Sequence, residues 1–82
     1  MNHGPNCRDE VLAAIRAIIG RNGDRPFTPD DVFREMRARG TSYAESTIRT
    51  HVASRMCSNA PDHHAATYDD LIRVGRGLYR LK

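Results

Sequence analysis

Tryptophan is absent, lysine occurs once and cysteine twice, and each scarcity removes a class of protein. Cys7 and Cys57 lie far apart and build no disulfide framework, which makes a reducing cytosol the expected compartment. Apolar runs are short as well: the longest, Val11 to Ile15, is broken by Arg16, well below the roughly 20 residues of a bilayer span. The opening Met1-Asn2-His3-Gly4-Pro5 has neither a basic nor an apolar region, so no secretory signal is expected. Regularly spaced Cys or His pairs of the zinc-site kind are missing too. His63-His64 with Asp62, His51 and Cys57 is a poor metal set, because adjacent histidines rarely ligate one ion together. A Cys57 to His63 nucleophile pair has no visible orienting group, and Gly75-x-Gly77 is too short for a phosphate-cradling loop. The expectation is therefore a protein that is not an enzyme and that carries no cofactor and no metal.

What remains is one small domain, residues 1–82, with hydrophobic residues at 39% and charged residues at 28%. The 13 basic and 10 acidic residues give a net charge of +3. Their placement says more. Residues 58–70 hold three acids and no base, whereas residues 71–82 hold four bases and no acid. All the cations but Lys82 are arginine, whose planar fork matches phosphates and guanine edges. A GC-rich genome also favours arginine codons, so the clustering is the more telling feature.

After a loose lead of about six residues, Val11, Leu12, Ile15, Ile18 and Ile19 form the stripe of an amphipathic helix over Arg8 to Ile19. Asn6 fits its N-cap, Asp9 and Glu10 suit its first turn, and Gly20 is expected to end it. Turn residues then lead to a lone apolar Phe27. Thr28-Pro29-Asp30-Asp31 opens a second helix with a hydroxyl cap, proline at the first position and acids behind it, before Val32, Phe33 and Met36. Gly40 closes it. Ser42-Tyr43-Ala44-Glu45 reads as a capping box for a third helix reaching about Cys57. Two helices joined by a tight turn containing glycine make a helix-turn-helix candidate. Ala44, Ile48, Val52 and Met56 share the face to be buried, which leaves Ser46, Thr47, Arg49, Thr50, Ala53 and Ser54 facing solvent. Arg55 sits nearer the buried edge, and His51 is expected to be partly exposed. Residues 58–70 form a long loop. Leu71 to Val74 and Leu78 to Leu81 flank Gly75-Arg76-Gly77 as a hairpin, with Tyr79 and Leu81 turned inward.

The order of elements is that of a winged helix-turn-helix, an α+β fold, mainly α, of three helices and a C-terminal two-stranded wing. The closing Asp70-Leu71-Ile72-Arg73-Val74-Gly75-Arg76-Gly77-Leu78-Tyr79-Arg80-Leu81 resembles the wing of the HARE-type winged helices. Thr28-Pro29 and Ser46-Thr47-Ile48 are similar to that family at matching positions. Such domains occur in bacterial polymerase-associated subunits, chromatin proteins and restriction or modification enzymes, so the resemblance implies nucleic-acid association.

The residues themselves suit double-stranded DNA. Ser46, Thr47, Thr50 and Ser54 are short hydrogen-bonding groups that let a helix backbone approach the major-groove floor, and Arg49 is placed for a bidentate grip on guanine or phosphate. In the wing, Arg73, Arg76 and Arg80 would meet backbone or minor groove, with Arg76 at the tip the leading candidate. The helix starts at Thr28 and Tyr43 would clamp phosphate, although capping alone accounts for Thr28 and a half-buried aromatic staple equally suits Tyr43. Phosphate-driven affinity would fall with salt, and a single recognition helix reads too few base pairs for useful specificity without a homodimer or a fused partner. The expected setting is a cytoplasmic, nucleoid-associated transcription regulator or the targeting module of a restriction or modification system. The alternative is a winged helix that docks on RNA polymerase or another complex without touching DNA. It gains if the acidic 58–70 segment shares the wing's face.

Overall fold

In the computed structural model, residues 6–58 and 68–82 are described. Helix α1 spans Cys7–Asn22, α2 Pro29–Ala38 and α3 Glu45–Thr50, which runs on as a π-helical turn over His51–Arg55. Strands β1, Leu71–Gly75, and β2, Leu78–Leu81, pair antiparallel. This is the α+β winged helix-turn-helix order expected from the sequence. His63, His64 and Asp62, with most of the 58–70 loop, lie outside the described residues.

Local chemistry explains where α1 and α2 begin. The Asn6 side chain accepts the Asp9 N–H at 2.9 Å, and the Thr28 hydroxyl accepts the Asp31 N–H at 3.0 Å while the Asp31 carboxylate accepts the Thr28 N–H at 2.9 Å. The ends differ from expectation. Gly20 does not stop α1; the helix continues to Asn22, and Gly23, at φ 88°, closes it by donating its N–H to the Ile19 carbonyl at 2.8 Å. A glycine inside a helix costs about 1 kcal/mol, whereas one at positive φ past the end relieves a strain other residues would carry, so the second site is the stronger stop.

Helix α3 starts later than a Ser42 cap implies. Its N-cap is Ala44, with no side-chain hydrogen bond. Thr41 is the engaged hydroxyl instead: it donates to Glu10 of α1 at 2.9 Å and accepts the Tyr43 N–H at 3.2 Å. Glu45 holds Arg49 one turn on rather than reaching back to Ser42. Ala44, placed by its spacing on the buried face, is exposed, while Ala53, placed on the solvent face, packs against the core.

The π turn accounts for part of that rearrangement. Ile48, Val52 and Met56 are fully buried at a spacing of four. On an α-helix that spacing drifts by about 40° per step. The wider turn, closed by the Met56 N–H on the His51 carbonyl at 2.8 Å, takes the drift back and keeps Met56 over the core.

These residues meet Val11, Ile15 and Ile18 of α1, Val32 and Met36 of α2, and Phe27, Leu71 and Tyr79 around the sheet. Phe27 exchanges both backbone hydrogen bonds with Tyr79 at 2.8 Å and so acts as a one-residue strand on the far side of β2. On the other side, Leu71 is tied to the end of helix three through the Met56 carbonyl and the Ser58 N–H, both at 2.8 Å. The wing is thereby fixed at its base from two directions.

Candidate nucleic-acid interface

The exposed side of helix three presents two rows with different surroundings. On the side facing α2, Arg49 donates from Nε to Glu45 at 2.7 Å and from Nη2 to Asp30 at 3.1 Å. The hydrogen bond to Glu45 lifts the Arg49 pKa above its ordinary value, against the opposing pull of desolvation, and the charge of Asp30 adds to the lift. Arg34 also grips Asp30, at 2.6 Å, so two bases and two acids neutralise one another on this face. Arg49 is thus held before any partner arrives.

The other row is open. Ser46, Thr47 and Thr50 line a shallow recess of about 450 Å³ together with His51, Arg55 and Tyr68. The His51 Nδ1 lies 3.0 Å from the Thr47 carbonyl, which can only accept, so Nδ1 donates in this hydrogen bond. Arg55 is exposed, contrary to its expected place near the buried edge, and makes no ion pair with a described residue. Thr47, His51 and Arg55 stand four apart on successive turns. That spacing is a signal in the sequence, and His51 is half-buried, in line with its expected partial exposure. Ser54 is half-buried and does not line the recess.

Tyr68 closes the recess because it is pinned. Its N–H donates to the Arg55 carbonyl at 2.8 Å, and the Arg8 guanidinium lies 4.6 Å from its ring centre. Arg8 simultaneously grips Asp70 with two hydrogen bonds, at 2.8 and 2.7 Å. Asp70 and Asp69 are therefore both ion-pair partners, Asp69 holding Lys82 at 2.7 Å.

Ion pairs also take up cations of the wing. Lys82 belongs to Asp69, and Arg80 reaches the Asp24 carboxylate at 3.1 Å and its backbone carbonyl at 3.2 Å. Arg73 is exposed on β1 opposite Tyr79. Burial and the nearby Cys57 push the Tyr79 phenol up, and the Arg73 charge pulls it partly back. Arg76 is exposed in the turn, with no ion pair to a described residue. Thr28 is engaged in its capping box, and Tyr43 is half-buried against the core, the staple arrangement.

Among the described residues, no group of three or more His, Cys, Asp or Glu side chains is placed to hold a metal ion, and no helix is long and apolar enough to cross a membrane. Both cysteines are buried and reduced, and burial, with the charge of Glu10, pushes the Cys7 thiol up. A second recess of about 570 Å³ lies between the end of α1 and the start of α2, where Arg21 is taken up by Glu35 at 2.9 Å. A family model described as a domain of unknown function (DUF7669) matches residues 8–81. No curated protein and no solved structure matches the chain.

Proposed function

The chain belongs to that DUF7669 family, whose description carries no activity, and we propose from its residues that it binds double-stranded DNA as a winged helix-turn-helix. The observation that carries the reading is the open row of helix three, where Ser46, Thr47 and Thr50 stand beside His51 and Arg55, which has no ion pair among the described residues. Short hydroxyls let the helix sit deep in a major groove, and Arg55 is long enough to reach a guanine edge or a flanking phosphate from the rim. Arg76 at the wing tip supplies the second contact, to backbone or minor groove. Arg49 keeps a role only if DNA replaces Glu45 and Asp30, so Arg55 takes the place that the sequence suggests for Arg49. The resemblance to HARE-type winged helices agrees with this reading. It implies a cytoplasmic, nucleoid-associated regulator or the targeting module of a restriction or modification system, paired with a second copy or a fused partner to lengthen the site.

A second reading, docking on RNA polymerase or another complex without DNA, draws support from one observation. Ion pairs take up Arg49, Arg80 and Lys82, so the surface offers fewer free cations than the sequence counts. Fluorescence anisotropy with random-sequence duplex separates the two. The DNA reading expects binding at about 50 mM salt that weakens tenfold or more by about 200 mM. Absence of binding at the lower salt overturns it and leaves the docking reading.

A further inference from the structure

The wing tip combines features that a backbone contact alone does not require. Val74 and Leu78 are the exposed large hydrophobics among the described residues, at 48% and 38% of their full exposure, and both lie within two residues of Arg76. The pairing register slips between Arg73 and Gly75, so Val74 sits on a bulge outside the regular ladder. Leu78 lies over Gly75, its Cδ1 only 3.4 Å from where a β-carbon would stand. Gly77, at φ 68°, completes the two-residue turn, so Arg76 projects from between two residues without side chains. From Leu71 to Leu81 there is no acidic residue, and the acids just before the strand are held by Arg8 and Lys82.

We infer that this tip is a minor-groove probe for A·T-rich duplex DNA, with Val74 and Leu78 against the sugar walls and Arg76 in the groove; the inference rests on the DNA-binding reading. An occupant for the tip must offer negative charge and apolar surface within one side-chain length of each other. The minor groove does so, with phosphates on its rims and deoxyribose C–H edges on its walls. Where A·T pairs narrow it, its potential deepens and attracts an inserted arginine. Bare backbone on both sides of Arg76 lets the walls close in, and apolar residues beside an inserted cation are a recurring minor-groove device.

The test compares the intact chain with Val74→Ser/Leu78→Ser and with Arg76→Ala on an A-tract duplex and a G·C duplex, after thermal melts show that the variants fold. The unaltered chain should prefer the A-tract by about tenfold and be displaced from it by netropsin, a small minor-groove ligand. The double serine variant should lower that ratio while keeping the salt slope, because it removes the wall contacts and no phosphate contact. Arg76→Ala should weaken binding to both duplexes, to the A-tract more strongly, and reduce the slope by about one. Equal affinity of the unaltered chain for both duplexes, indifference to netropsin, or an unchanged ratio in the double serine variant overturns the inference, and salt-sensitive binding in those cases leaves the DNA reading standing. Failure to bind either duplex overturns both. Self-association in sedimentation that the double serine variant abolishes assigns the apolar pair to a second copy and also overturns the inference.

Discussion

The base and the tip of one hairpin, a few residues apart, have opposite relations to the rest of the molecule. At the base, Tyr79 is buried and bonded to Phe27, Arg80 is tied to Asp24, and Lys82 to Asp69. At the tip, Val74, Arg76 and Leu78 are exposed, and Arg76 has no ion pair among the described residues. The same types of side chain hold the fold together in one place and face outward in the other. What separates them is whether distant parts of the chain supply an acid or an apolar surface. A count of arginines therefore overstates the charge a partner would meet, and a cation such as Arg76, with no ion pair among the described residues, marks where to look for it.

Perturbations of the base should act on stability and those of the tip on binding, and the contrast can be pressed in order of expected effect. Phe27→Ala removes a ring that is 1% exposed and the apolar cover of Tyr79; it should cost about 3–5 kcal/mol, enough to unfold much of so small a domain, as read by urea titration. Arg55→Ala should leave the melting temperature unchanged and weaken duplex binding by about tenfold in anisotropy, more than Arg49→Ala, whose guanidinium is already held. If Arg49→Ala is the more damaging, the held row of helix three is the reading face after all. Alkaline pH comes next. Burial lifts the Tyr79 phenol and the Cys7 thiol in the folded state, so their contribution is complete below the ordinary values of these groups and is lost as pH rises past them. The melting temperature should fall in that range, and Tyr79→Phe should flatten the fall. The smallest effect belongs to Asp24→Asn. An exposed pair contributes at most about 1 kcal/mol, so stability should barely move, but Arg80 keeps only its hydrogen bond to the residue 24 carbonyl and the salt slope of duplex binding should steepen.

How much of this was legible in the sequence depends on how far apart the interacting residues are. The caps at Asn6 and Thr28, the wing's turn and the burial of Ile48, Val52 and Met56 all follow from neighbours within a few positions, and they were readable. The end of α1 was misplaced because two glycines competed and only the backbone angle of Gly23 decides between them. The start of α3 was misread because Thr41 bonds Glu10, a residue on another helix. The electrostatics were least legible. Asp30 lies 19 residues from Arg49, Asp24 lies 56 from Arg80 and Asp70 lies 62 from Arg8, and no local pattern announces such pairs. The fold order thus came through, whereas the pairing of Arg49 with Asp30 needed the third dimension.

The π turn also bears on how this helix tolerates changes of length. A turn closed five residues back holds one residue more than an α turn needs. Removing Ala53 would bring Met56 to seven positions after Ile48, with Val52 still at four, which is the apolar spacing of an unbroken α-helix. Shortening the chain by one residue there should keep Ile48, Val52 and Met56 in the core at the loss of the Ala53 contact with it, while rotating Ser54 and Arg55 around the axis. Helix three therefore carries a single-residue slack that changes which side chains face outward while sparing its three fully buried residues.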